Sequence, residues 1–426
     1  EFQRRFLAPE RSRSARELVA ELAERAWRRP PTELDLERLC ALAPRGATRE
    51  ETLKITLVAL LASPRFLFRF ESAPSGAKRG GVRDLDDYEL ATRLSYFLWS
   101  TLPDEKLFEL ARTQRLHDDG VLASEVRRML RDPRATALVD NFAGQWLQLR
   151  ALERASPDPV RFPDFDAELR DAMRAETELL FEAVLREERP LRDLIDPDFT
   201  FLNARLAQHY GIEGVQGAHM RRVRLDDFAR GVRGGLLQQA CMLTVTSNPT
   251  RTSPVKRGKW VLETLLASPP LAPQPGVDSL DESPATTHAT SLRERLAQHR
   301  ADPKCAICHD KLDPLGFALE NFDPLGRWRE EADGFVVDAG GVLEDGTAFV
   351  GSAPLERKLA LDPIVARSVF QKLAVYALGR GLRTEDDPAI DAALAALRGN
   401  DSTLAELIDA VVQLDAFRKT RVEEKP

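Results

Sequence analysis

DDYELATRLSYFLWSTLPDEKLFELA, Asp86 to Ala111, decides the fold class of this 426-residue chain. Acidic residues fill its first turn, Leu90, Leu94, Phe97 and Leu98 recur at helical spacing, and a second helix restarts after Pro103. That period lays one apolar stripe along a helix, whereas a half-buried strand alternates at every second residue. The aromatic members of the stripe read as core packing rather than as a cofactor box.

The same texture extends in both directions. From Ser14, SARELVAELAERAWRRP places Leu18, Val19, Leu22 and Ala26 on one face and stops before Pro30-Pro31. Thr32 caps ELDLERLCAL, and ETLKITLVALLASP is a third amphipathic helix. ESAPSGAKRGG (71–81), rich in small residues, reads as a linker. Further helices are expected over 119–131, 134–149, 166–186 and 200–210, then 363–379, 387–398 and 403–416. TSNPTRTSPVKRGKW (246–260) is a turn-rich loop leading into a helix of VLETLLASPP, with a Pro-rich connector beyond it. GFVVDAGGVLEDGTAFVG (334–351) predicts a small β-hairpin turning at Asp345-Gly346. Each of the two DPLG copies (313–316, 323–326) reads as an Asp cap with Pro at the first helical position.

Composition narrows the function classes. Apolar residues at 43% and charged residues at 30% are ordinary for a globular protein, and the length suits two to four domains. A net charge of −7 argues against nucleic acid as a partner, since phosphate binding needs a basic footprint. The mean hydropathy is −0.33 and no run has the length of an apolar membrane span. The chain begins at Glu1, so a targeting segment is expected to have been removed or to lie outside this fragment. Four cysteines, with Cys40 and Cys241 standing alone, make no disulfide framework.

The chemistry concentrates in CAICHD, Cys305 to Asp310, for which three readings compete. A structural zinc site needs four ligands and normally a second pair at similar spacing, and no second C-x-x-C or H-x-x-x-H exists. A thioredoxin-type dithiol sits in a βαβ unit, of which there is no pattern here. A c-type haem accounts for every residue: Cys305 and Cys308 form thioethers with the vinyl groups, and the adjacent His309 is the proximal iron ligand. Behind the motif, Leu312, Leu315, Phe317, Leu319 and Phe322 form an apolar set able to line a porphyrin face. Arg327 and Arg329 can pair with the propionates or simply lie solvated.

No His or Met follows His309, so a distal ligand comes from upstream, from Tyr or Lys, or from water. His299, ten residues before His309 in RLAQHRADPKCAICH, is the preferred candidate for the second iron ligand. His209, His288 and Met242 are the fallbacks. Two axial histidines make a closed electron carrier, whereas an open position admits peroxide or oxygen chemistry. Arg251, Lys256, Arg257 and Lys259 either bind an anionic partner or, as we favour, cap helices and reach the propionates. Tyr210, Trp260 and Trp328 are candidate haem-edge aromatics, with ordinary packing the simpler reading.

HRADPKCAICHDKLDPLGFALENFDPLGRWR resembles the haem-motif domain of a bacterial multi-domain cytochrome family abundant in planctomycetes, built from domains of unknown function 1595, 1592, 1588 and 1585. AERAWRRPPTELDLERL is similar to the first of these. ELATRLSYFLWSTLPDEKL and DFTFLNARLAQHYGI resemble the second. RGGLLQQACMLTVTSNPTRTSPVKRGKWVLETLL opens the third, and FQKLAVYALGRGL is similar to the last. Members often carry Met where this chain has Leu312. The resemblance implies domains at 1–70, 82–212, 230–330 and 340–420. It also implies a haem-binding motif at Cys305, Cys308 and His309, with a histidine matching His299. Larger members add a cytochrome module and an export signal.

The expectation is a mainly α, multi-domain helical protein with a c-type haem domain and a small β-hairpin insertion. Its one covalent haem c transfers electrons in the periplasm or at the cell surface, to a redox partner protein or an additional cytochrome module. The alternatives are a peroxidase- or oxidase-like haem enzyme, and a haem-anchored interaction or assembly protein.

Overall fold

The computed structural model describes residues 13–71, 80–226, 229–270 and 291–422. Residues 72–79 of the expected linker, the Pro-rich connector from 271 and His288 lie outside them. The chain is mainly helical with small antiparallel strand pairs, and forms two compact units, residues 1–134 with 412–426 and residues 135–411.

In the first unit α1 (Ala15–Trp27), α2 (Glu33–Cys40) and α3 (Arg49–Ala62) begin at Ser14, Thr32 and Thr48. Each of these hydroxyls accepts from the backbone three residues on, while an acidic side chain there returns the bond to the cap. The stripe read from the sequence becomes a core of Leu18, Val19, Leu22, Leu36, Leu39, Leu53 and Leu60. The opening stretch forms α4 (Asp87–Trp99) and α5 (Glu105–Arg112), capped by Asp86 and Asp104, followed by α6 (Asp119–Arg131). Leu90, Leu94, Phe97 and Leu98 are all buried, as packing residues. A short strand, Val82–Asp84, pairs antiparallel with Lys419–Arg421.

The second unit is built around α7 (Ala167–Arg186), α8 (Ala204–Tyr210), α9 (Ala240–Val245) and α10 (Pro254–Trp260). Then come α11 (Leu292–Arg300), α12 (Pro303–Phe317), α13 (Ser352–Leu361), α14 (Pro363–Leu378), α15 (Asp387–Ala395) and α16 (Leu404–Gln413). Hairpin Gly340–Val342 with Ala348–Val350 turns at Asp345-Gly346 as expected, with Gly346 at φ 83°. Phe335–Val336, assigned to the same hairpin, instead pairs back on Glu331–Ala332.

Three other expectations change. The continuous helix over 134–149 is broken into a 3-10 turn, a π-helical stretch Leu138–Ala143 and a single α turn. The wider turn stacks Phe142 on Trp146 (5.6 Å) and brings Phe142 against Phe181 and Tyr376. Apolar periodicity over so short a window does not separate 3.6 from 4.4 residues per turn. The expected helix over 200–210 begins as a strand, Phe199–Leu202, paired with Arg221–Arg224, and turns helical only after the Asn203 cap. Aromatic and β-branched side chains there favour the pleated surface. Neither DPLG starts a helix: Pro314 lies inside α12, and Asp323 accepts from Leu325 and Arg327 backbone amides in a turn with Gly326 at φ 80°. Asp313 is drawn into side-chain partners, so its carboxylate is not available as a cap.

The helix pair α10 and α12 positions the site. A Cβ on Gly258 would meet the Leu312 carbonyl oxygen at 1.9 Å, and one on Gly316 would meet that of Pro254 at 1.9 Å. Two glycines thus let the helix backbones touch, which no side chain permits.

Candidate functional site

Pro303 opens α12 at its first position and Asp302 caps it, its carboxylate accepting from the Lys304 amide. Cys305, Cys308 and His309 therefore project from the first two turns of one helix, within an arc of about 100°. Both cysteines are free thiols, Cys305 buried and Cys308 half-buried. One turn on, Asp313 has a fully buried side chain, and its Oδ1 accepts from His309 Nδ1 at 2.9 Å. Arg300, the last residue of α11, brings Nε to 3.4 Å from Asp313 Oδ2. His299, beside it in sequence, sets its ring edge-on to His309 with centroids 4.9 Å apart. The structure thus gathers Cys305, Cys308, His309 and His299 where α11 meets the start of α12. Among the described residues no group of three or more His, Cys, Asp or Glu is placed to hold a metal ion by itself.

The fallback axial ligands stand elsewhere. His209 donates Nε2–H to the Leu325 carbonyl at 2.8 Å, and burial pushes its pKa down to about 4. Met242 is buried in α9. The apolar set behind the motif faces the protein interior: Leu312, Leu315, Phe317, Leu319 and Phe322 are all nearly inaccessible, packed as core rather than presented as a free porphyrin wall. A helix whose backbone touches α10 has no room on that side for anything else.

Arg327 and Arg329, expected to pair with propionates or to be solvated, have nearer carboxylates. Arg327 holds Asp323 at 3.0 Å, and Arg329 holds Glu320 at 3.0 Å and the Thr252 hydroxyl at 3.1 Å. Arg251, Lys256 and Lys259, in and before α10, have partners close by in sequence. Lys259 lies 3.6 Å from Glu263, Lys256 donates to Asn248, and Arg251 donates to the Thr252 carbonyl. Tyr210 donates to Glu176 at 2.6 Å and accepts from the Ala240 amide. Trp260 is buried, and Trp328 packs edge-on to Phe322 at 5.4 Å.

Arg257 is the residue whose weight the sequence understated. Its side chain is completely buried and its guanidinium donates to the carbonyls of Leu319, Phe322 and Asp323 at 2.6–2.9 Å and to Glu320 at 3.1 Å. Burial lowers its pKa to about 10, still well above neutral. Arg233, also buried, donates to the Gly326 carbonyl at 2.8 Å while its guanidinium carbon stands 4.0 Å over the Tyr210 ring. With His209 on Leu325, three side chains satisfy carbonyls of the turns that follow α12, where buried acceptors outside regular structure need a donor. Asp313 was also missed. Its i,i+4 spacing from His309 was visible, but the cap reading of DPLG concealed it.

Four family models match consecutive stretches, each described as a protein of unknown function: domain 1595 at residues 14–71, domain 1592 at 85–212, domain 1588 at 233–332 and domain 1585 at 345–417. The model for domain 1588, which spans Arg257 and the Cys305–His309 motif, has the short name PSCyt3. No curated protein and no solved structure matches the chain.

Proposed function

The chain belongs to the multi-domain family assembled from these four domains, and from that premise we propose that it is a c-type cytochrome with one covalently held haem at Cys305, Cys308 and His309. The observation that carries this reading is the placement of both free thiols and His309 on one face of α12, with Nδ1 of His309 already bonded to Asp313. That bond leaves Nε2 as the nitrogen with a lone pair, which is the state a metal-binding imidazole needs. His299, on the adjoining helix, is the residue we propose for a second iron nitrogen, its ring drawing back from the 4.9 Å it keeps from His309 to admit the metal. A haem held there supplies a one-electron iron centre whose potential is set by axial ligands and their hydrogen bonds.

The chain's own residues do the rest. The carbonyl clamp by Arg257, Arg233 and His209 holds the far end of α12, so that its first turns present the thiols from a rigid base. Ile307, 59% exposed, and half-buried Cys308 keep that end near the surface, as electron exchange with a redox partner or a further cytochrome module requires. Covalent attachment takes place outside the cytoplasm, so the reading carries export to the periplasm or cell surface with it. No helix of the described residues is long and apolar enough to cross a membrane. The proximity of His299 to His309 favours a closed electron carrier over an oxidase or peroxidase.

The test is production of the chain in an exporting host with haem-attachment machinery. A c-type α-band and a mass gain of one haem are expected, with a low-spin resting spectrum. Absence of covalent haem overturns the cytochrome reading, and a high-spin spectrum with cyanide binding transfers it to the haem-enzyme class.

A further inference from the structure

We propose that Asp313 is the positioning residue of this site. Its carboxylate holds His309 in the Nδ1–H tautomer, and it keeps the reduction potential of an iron bound at Nε2 lower than a neutral acceptor would. The second half rests on the haem reading; the first does not.

The side chain of Asp313 is wholly inaccessible, on a helix whose interior it shares with Leu312 and Leu315. A carboxylate so placed is costly unless its oxygens are engaged. One oxygen, Oδ1, accepts from His309 Nδ1 at 2.9 Å. The other, Oδ2, has no hydrogen-bond partner among the described residues and lies 3.4 Å from the charge of Arg300, the last residue of α11. A core residue chosen for packing alone would be apolar here, as its neighbours are. The polar group is instead aimed at one ring nitrogen, and it lies four residues from the histidine that follows the two thiols.

The consequence for the imidazole is electronic as well as geometric. An imidazole that donates Nδ1–H to a carboxylate keeps its lone pair on Nε2 and becomes a stronger base there than one donating to a neutral carbonyl. A stronger donor stabilises the more positive oxidation state of a bound iron, and so lowers its potential. Arg300 moderates that effect by sharing the carboxylate, which ties the orientation of His309 to the end of the helix that carries His299.

Two measurements test the proposal separately. In the haem-free full-length chain, 15N-histidine NMR is expected to find neutral His309 as the Nδ1–H tautomer, shifting toward Nε2–H in Asp313→Leu. A wild-type chain with Nε2–H at His309 overturns the positioning role whether or not haem is ever attached. In the haem-loaded protein, Asp313→Asn is expected to keep its covalent haem and move to a more positive midpoint potential, with Asp313→Glu returning part of the way. An unchanged potential in a fully loaded Asp313→Asn protein overturns the electronic half. If Asp313→Asn does not load, Arg300→Leu provides the second handle: it is expected to move the potential negative, and no movement overturns the same half. Wild-type protein that carries no haem defeats the cytochrome reading and the electronic half with it, while leaving the tautomer result to stand or fall alone.

Discussion

The two halves of α12 are built on opposite terms. From Leu312 onward the helix is sealed: Gly258 and Gly316 admit backbone against backbone, and Arg257 gathers the carbonyls that follow. Before Leu312 the helix carries two free thiols, a histidine bonded to Asp313 and in ring contact with His299, and an exposed isoleucine. One continuous segment of regular structure therefore serves as an anchor at one end and as a reactive surface at the other. The lesson is that burial is graded along a single helix: Ile307 and Cys308 stay accessible, while Cys305 and Asp313 carry polar or thiol groups into the packed side.

The comparison breaks most severely at the reactive end. If the proposed cytochrome reading holds, replacing Cys305 and Cys308 together by Ala is expected to abolish covalent haem altogether. The unfolding free energy of the haem-free chain should change by no more than about 1 kcal/mol, as measured by denaturant titration. At the anchored end the order is reversed. Arg257→Met removes a buried cation and the donor it gives to Glu320 Oε1 and three carbonyls, although Arg329 and Thr252 remain on Glu320 Oε2; this is expected to cost about 3–5 kcal/mol in the same titration.

Acid offers a third way in. The folded pKa of His209 is near 4, below the ordinary 6.5, so the unfolded chain takes up a proton that the folded chain refuses. Its contribution is therefore present above pH 6.5 and lost as pH falls toward 4, by up to about 3 kcal/mol. His209→Gln, which can still donate to Leu325, is expected to flatten that part of the stability-versus-pH curve. Gly316→Ala forces a methyl against the Pro254 carbonyl and is expected to cost about 1–3 kcal/mol. Ile307→Ser, on the exposed face of the reactive half, should stay within about 0.5 kcal/mol of wild type. A cost at Ile307 comparable to that at Gly316 would erase the distinction between the halves.

Much of this division is legible in the chain itself. Apolar stripes and caps such as Ser14, Thr32 and Asp86 name their helices because both signals are local, arising within one or two turns. The C-x-x-C-H run is local too, so Cys305, Cys308 and His309 stand out as one constellation, but the cap reading of DPLG starts a helix only at Pro314, and that the three share a helical face is seen in the structure alone. The strand at Phe199–Leu202 and the π-helical stretch at Leu138–Ala143 were misread because a partner strand at Arg221–Arg224 and an aromatic neighbour at Phe181 decide them, and neither is adjacent in sequence.

The long-range part belongs to the tertiary structure. That His299 meets the ring of His309, that Arg257 reaches carbonyls more than sixty residues on, and that Gly258 and Gly316 face each other's helices are facts of packing. So is the fate of Arg327 and Arg329, whose charges the sequence left open to propionates or to solvent and the fold sets beside Asp323 and Glu320. Local periodicity and short motifs determine which elements form and where thiol and imidazole lie along them. Which buried charge finds which partner depends on distances that exist only once the helices are packed, and there desolvation makes the nearest opposite charge or carbonyl decisive.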